Sequence, residues 1–227
     1  MAQLHEGHRE RLRKRLQNEG MDSFEPHEVL ELILYFSIPR IDTNPIAHRL
    51  LERFGSLSAV FEAPRSELMK VDGIGAGSAT LLSMIPDLTK RYLQDKNSSG
   101  IVLDSAQKLG EFIMPYFIGS NNEKFYIICL DKKCKLLNCT LLAEGGLDKV
   151  DVDMRLIYKT ALDCSASQVV LAHNHTQGFA LPSTDDIMVT KKVIQALKLI
   201  SVNVTDHIIV ARDDFVSLSQ SGMFVGI

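Results

Sequence analysis

The sequence predicts two domains: a small all-α module over residues 1–96, followed by an α/β or α+β domain over residues 101–227. Three observations predict it. Apolar residues recur at three- and four-residue spacing as far as Tyr92, with few strand signals among them. The stretch "QDKNSSGI" at 94–101 has no apolar residue before Ile101 and reads as a linker. Beyond it, short strand-like runs alternate with helical ones.

In the first module, "HEVLELILYF", "NPIAHRLLERFG", "RSELMKV" and "AGSATLLSMIPDLTKRYL" read as helices, each bounded by Gly, Pro, Asn or Ser. In the second, "LDSAQKLGEFIMPYF" reads as a helix, "KFYIICL" and "KLLNCTLLAEG" as strands, and "VDMRLIYKTALDCS" as a helix. The strand "QVVLAHNH", the long helix "STDDIMVTKKVIQALKLI" and the strands "HIIVA" and "FVSLS" complete the domain. No repeat of fixed period is present.

Composition narrows the function classes. With 45% hydrophobic and 23% charged residues, the 227-residue chain can bury a core and is not disordered as a whole. No run of eighteen apolar residues occurs and the first twenty residues carry charges throughout, so neither a membrane span nor a secretory signal is expected, and the expected location is cytoplasmic. Cys129, Cys134, Cys139 and Cys164 form no C-x-x-C pair; alternating strand positions do not put the first three on one face, so buried thiols are expected rather than a metal site. A net charge of -3 argues against a bulk electrostatic grip on nucleic acid, and residues 1–96 hold 13 basic and 14 acidic side chains. The one dense basic cluster, "HRERLRKRL" with Arg9, Arg11, Arg13, Lys14 and Arg15, reads either as a solvated helix face with Leu12 and Leu16 inward or as a phosphate-contacting arm.

Two stretches carry chemistry. In "ELMKVDGIGAGSATLL", Gly73 and Gly75 bracket Ile74 between helical runs, and the helix that follows offers unpaired N–H groups to a phosphate. The stretch resembles the helix-hairpin-helix motif, which docks on a nucleic-acid backbone without reading sequence. The competing reading is a tight turn in which Ile74 plugs the core; Lys70 lies near, but Asp72 sits inside the hairpin.

In "VVLAHNHTQGFALPSTDDI", positions i and i+2 of a strand point to one side, so His173 and His175 present two imidazoles to one point. Asp186, in the first turn of the next helix, can supply a third ligand of the kind a catalytic zinc site needs. Helix capping alone explains Ser183 and Asp186, but not the histidines. "HEGH" at 5–8 and "HEVLE" at 27–31 lack histidines four apart and carry no zinc motif.

His173, His175, Ser183 and Asp186 meet the His-x-His, seven residues, Ser, two residues, Asp signature, which resembles that of the JAMM (MPN-plus) metallohydrolases. With "GHRERLRKRL", "RLLERFGSLSAVF", "VDGIGAGSA", "LAHNH" and "DHIIV", the chain resembles the bacterial RadC family over nearly its whole length. The resemblance implies a cytidine-deaminase-like domain with a mixed sheet and a Zn2+ held by His173, His175 and Asp186. It further implies that Ser183 donates to the water or developing oxyanion, and that Glu123 acts as general base on that water, with Glu144 as its competitor. Implied partners are nucleic acid at Gly73, Ile74 and Gly75 and a peptide or isopeptide substrate, without a membrane, in a pathway associated with DNA repair. A metal-dependent nuclease and a non-catalytic DNA-binding adaptor are the alternatives. Two places depart from the family: Thr176, Gln177, Gly178 and Phe179 stand where Pro-Ser-Gly-Asp is usual, and Met154, Arg155 and Leu156 where Pro-Arg-Glu is usual. Asp206 and His207 read as a structural hydrogen-bonded pair.

Overall fold

The structure is a computed structural model that describes residues 2–96, 100–145, 153–176 and 178–224. The chain divides into two compact units, one reaching Thr89 and the other starting at Lys90.

The first unit is helical: α1 (Ala2–Glu19), α2 (Pro26–Leu34), α3 (Asn44–Phe54), α4 (Leu57–Glu62), α5 (Arg65–Leu68) and α6 (Ala76–Ser83). Local chemistry sets the ends. Pro26 opens α2, and Glu28 accepts the Glu25 backbone N–H at 2.9 Å. Gly55, at φ 87°, closes α3 in the left-handed region. Ser56 caps α4 by accepting from the Ala59 backbone N–H. Leu30, Leu34, Leu50, Val60, Leu68 and Leu82 make the core between these helices.

Two helix expectations change here. The run "AGSATLLSMIPDLTKRYL" is not one helix: α6 stops at Ser83 and α7 (Ile85–Lys96) begins anew, because Pro86 lacks the N–H an uninterrupted helix would need. Residues 94–96 of the expected linker belong to α7, their polarity being that of an exposed helix end, while 97–99 lie outside the described residues. The basic cluster on α1 is only partly solvated. Arg9 donates to the carbonyls of Ile38 (3.0 Å) and Ile41 and lies over the Tyr35 ring, and Arg15 pairs with Glu28 at 2.7 Å. Arg11, Arg13 and Lys14 remain exposed.

The second unit holds α8 (Ala106–Ile113) with a 3-10 turn (Met114–Phe117), β1 (Lys124–Leu130), β2 (Leu136–Glu144), α9 (Met154–Asp163), β3 (Gln168–Asn174), α10 (Thr184–Lys198), β4 (Asn203–Ala211) and β5 (Asp214–Ser217). Val152, expected at the start of α9, lies outside the described residues. The sheet runs in the order β2-β1-β3-β4-β5. The β3–β4 pair is parallel, joined by the α10 crossover, and every other pair is antiparallel, so the sheet is mixed.

β1 and β3 are buried on both faces, as their unbroken apolar runs require. Alternate side chains feed two cores. Tyr126, Ile128, Val170 and Ala172 pack toward α8 on one face. Phe125, Ile127, Val169 and Leu171 pack toward α9 and α10 on the other. His173 continues the second series, which carries its imidazole to the α10 side. The cysteines divide the same way: Cys129 lies in the α9–α10 core and Cys139 packs against the other, so they share no site. Burial pushes the Cys139 thiol up to about 12. Among the described residues no helix is long and apolar enough to cross a membrane.

Candidate metal centre

β3 ends at Asn174, and His175, the next residue, is held in line by its backbone N–H on the Val210 carbonyl of β4 at 2.8 Å. Asn174 turns the other way and clamps the start of β1, accepting from the Lys124 backbone N–H at 2.7 Å and donating to the Asn122 carbonyl at 3.3 Å. Asp186 comes from the first turn of α10. Its Oδ2 accepts both the backbone N–H and the hydroxyl of Ser183, each at 2.7 Å, and its own N–H returns to Ser183 Oγ at 3.2 Å. This is a helix cap, and the same cap aims the other carboxylate oxygen at the strand end.

Three side chains then converge. Nε2 of His173 lies 3.0 Å from Nε2 of His175 and 3.1 Å from Asp186 Oδ1, and His175 Nε2 lies 3.5 Å from Asp186 Oδ2. One ligand atom from each falls within 4.8 Å of the others. His173 is fully buried and Asp186 is 3% exposed, while His175 is only partly buried. The Phe125 ring stacks on His173, with centroids 5.9 Å apart. His175 Nδ1 faces the Phe179 carbonyl at 3.2 Å; a carbonyl only accepts, so Nδ1 carries the proton there. Two imidazole nitrogens and a carboxylate facing one point are a donor set that fits a divalent ion of the zinc type.

The electrostatics match this crowding. Burial pushes the Asp186 carboxyl up, but hydrogen bonds from His173, His175 and Ser183 together hold it well below the usual carboxylate range. The hydrogen bond to Asp186 raises the His175 imidazole, against the opposing effect of burial.

Glu123 stands beside the group. The antiparallel register pairs Phe125 with His173 and so carries the chain of Glu123 toward His175, and its negative charge adds to the upward pull on His175. Glu144 faces Lys124 across the β1–β2 pair, with Nζ 3.6 Å from its carboxylate. Gly73, Ile74 and Gly75 belong to the helical unit. Gly73 has φ +92°, Ile74 is buried in the core, and Gly75 precedes α6 without a side-chain cap.

Comparison with known proteins assigns the chain. Residues 103–223 match the RadC-like JAB domain. A UPF0758 protein of Fusobacterium nucleatum subsp. nucleatum is 34% identical over 225 residues, covering 96% of this chain and 97% of that protein. The chain belongs to the RadC family. Membership supports a metal-dependent hydrolase of the RadC type, and the His173, His175 and Asp186 group fits its metal site.

Where the sequence departs from the usual RadC pattern after His175, the loop still contacts the site. Gly178 takes φ +87°, and the next residue, Phe179, uses its carbonyl on His175 while its side chain is 81% exposed. Gln177 lies outside the described residues. Asp206 and His207 form the expected hydrogen-bonded pair, through the His207 backbone N–H on Asp206 Oδ1 at 2.7 Å, while the His207 ring turns elsewhere. Successive strand residues face opposite ways: Asp206 accepts the His207 backbone N–H and the Ser217 hydroxyl, whereas the His207 ring reaches His173 Nδ1 at 2.8 Å. Sequence reasoning thus missed His207, and with it Thr190, whose Oγ1 sits 2.6 Å from His207 Nδ1. The available signal was polar residues inside apolar surroundings: a histidine directly before "IIV", and a threonine one helical turn after Asp186.

Proposed function

We propose that the second unit is a zinc-dependent hydrolase of amide or isopeptide bonds of the JAMM type, with His173, His175 and Asp186 holding Zn2+. The convergence of two imidazole nitrogens and a buried carboxylate on one half-open point carries this reading. When bound, the ion supplies a Lewis acid that lowers the pKa of water toward ~7 and polarises a carbonyl. Glu123, at the rim beside His175, takes the proton of the attacking water and returns it to the leaving amine. Ser183 directs its one hydroxyl proton at Asp186 Oδ2. Rotation about its C–O bond turns that proton to an oxyanion, and Oδ2 keeps the Ser183 backbone N–H. Phe125 and the β-sheet wall His173 off from solvent, and among the described residues of the site substrate meets the partly exposed His175.

Elemental analysis of protein purified without chelator, followed by assays on peptide and isopeptide substrates, tests this. The expected result is about one zinc per chain. Glu123→Gln keeps the zinc and lowers turnover ~100-fold or more. Wild-type protein without zinc overturns the reading, and cleavage of branched DNA instead of amides overturns the choice of substrate.

We further propose that the turn at Gly73–Gly75 works as a helix-hairpin-helix on nucleic acid. Support comes from the open, uncapped N-terminus of α6 at Gly75, whose N–H groups suit a phosphate. The neighbouring cations are engaged: Arg49 donates to the Asp72 carbonyl at 3.0 Å, and Arg53 and Lys70 both pair with Glu67. The contact therefore rests on backbone N–H groups. Gly75 is the position to change, because a Cβ there meets nothing within 4 Å, whereas one at Gly73 would strike Ile46 Cδ1 at 2.7 Å. Gly75→Glu is expected to weaken binding alike on several unrelated DNA sequences in gel shifts at fixed salt. Unchanged affinity in the folded variant overturns the contact.

A further inference from the structure

We propose that Phe179 and Leu181 are specificity-determining residues, which select a substrate carrying a bulky apolar side chain next to the scissile amide. The proposal deepens the hydrolase reading above and rests on it.

Phe179 is 81% exposed and Leu181 64%, yet Ala180 between them is buried. The chain is thus pinned at Ala180 while both neighbours are presented to solvent. Single exposed apolar residues are ordinary on a protein surface, so exposure alone singles out nothing. Leu199 is as exposed, but it stands at the opposite end of α10 from Asp186. Place in the fold makes the difference.

The loop that carries Phe179 and Leu181 is tied to the candidate ligands at both ends. The Phe179 carbonyl oxygen faces His175 Nδ1 at 3.2 Å and also accepts the Leu181 backbone N–H at 2.8 Å, one lone pair for each. Gly178, at φ +87°, supplies the left-handed step that lets the chain turn back on His175. Downstream, Pro182 leads straight into Ser183, whose backbone N–H and hydroxyl both sit on Asp186 Oδ2. Bond lengths then fix the reach: Phe179 Cα stands within about 6 Å of the His175 imidazole. A molecule held at His175 and Asp186 has this loop beside it.

The amide is common to every peptide, so discrimination among peptides needs a contact outside His173, His175, Asp186 and Glu123. An apolar substrate side chain laid against Phe179 and Leu181 removes apolar area from water on both partners. A carboxylate or ammonium in the same place must shed its water for an apolar neighbour. The buried Ala180 and the two bonds on the Phe179 carbonyl hold the loop in advance, so little backbone freedom is lost when substrate arrives.

The test uses full-length, zinc-loaded protein and three hydroxamates that share one metal-binding head: those of acetic acid, N-acetylglycine and N-acetylleucine. Calorimetry reads their affinities. Wild type is expected to bind the leucine compound ~10-fold more tightly than the glycine compound. Phe179→Ala and Leu181→Ala are each expected to lower that ratio, and the double variant to bring it to about one. Zinc content and acetohydroxamate affinity are expected to stay unchanged in all three, because the Phe179 carbonyl and the Leu181 N–H belong to the backbone. Equal affinity of wild type for the glycine and leucine compounds overturns the inference, as does a leucine preference that survives in the double variant. Wild type that takes up no zinc, or takes it up and leaves acetohydroxamate unbound, overturns the metal reading and the inference with it. Binding of acetohydroxamate without a leucine preference overturns the inference alone.

Discussion

Two buried carboxylates, one in each unit, look alike until their neighbours' protons are counted. Glu31 of α2 is 1% exposed and Asp186 of α10 is 3% exposed, and both touch histidine. Around Glu31 each neighbour brings a proton: the Tyr35 hydroxyl, the Asn44 amide at 3.0 Å and His8 Nε2 at 2.9 Å. Around Asp186, Ser183 donates twice to Oδ2, through its backbone N–H and its hydroxyl. The other neighbours are the Nε2 atoms of His173 and His175, which also face each other at 3.0 Å. A buried acid beside a histidine is therefore no sign of a metal site by itself. Two imidazole nitrogens and a carboxylate oxygen gathered on one point are, because a single divalent ion can take all three.

The comparison can be broken most sharply at Asp186. Asp186→Asn keeps the cap geometry but gives up the charge, and zinc affinity measured against a competing chelator should fall by more than ~100-fold, beyond the range of outer partners. Glu31→Gln should leave that affinity unchanged. The converse experiment comes next in size. Glu31→Ala strands the Tyr35, Asn44 and His8 donors in the helical core and should destabilise that unit by about 3–5 kcal/mol in urea denaturation, with zinc content untouched. Loss of zinc from this variant would mean that the two carboxylates are not independent.

A half-exposed carboxylate gives the baseline. The hydrogen bond from Arg15 is the largest influence holding the Glu28 carboxyl below its ordinary 4.5, followed by the Glu25 backbone N–H. A depressed folded-state value means stability that is present above the unfolded pKa and lost as pH falls through the folded one. The loss should therefore set in as pH falls past the ordinary 4.5, amount to no more than ~1 kcal/mol for so solvated a pair, and vanish in Glu28→Gln. Denaturant midpoints across that pH range measure it.

How far these features could be read in advance follows from their range along the chain. The histidine pair and Asp186 were legible because a two-residue period and a first helical turn are local facts. The helical first half and the strand–helix alternation of the second were legible from apolar spacing, and the mixed sheet only through the family resemblance. Three features were not. The break before Ile85 competes with an unbroken apolar period, and α7 continues through Lys96 although residues 94–96 look like a linker. The direction of the His207 ring depends on a parallel pairing with a strand 34 residues away. The separate surroundings of Glu123 and Glu144 follow only from the register of β1 against both its neighbours.

That parallel pairing also sets an order of events. His173 and Asp186 lie on the two sides of the loop into α10, yet the ring that contacts His173 Nδ1 arrives only when the chain has crossed over the sheet and β4 has docked beside β3. Closing such long-range contacts is the slow part of folding. The two apolar cores that drive it contain no metal ligand, so the unit can fold before any ion arrives, unlike small domains that metal alone holds together. An ion that comes late meets a finished cup. Which ion stays is then decided by donor type and shape, and by the supply of metal at that moment, rather than by which ion first helped the chain to fold.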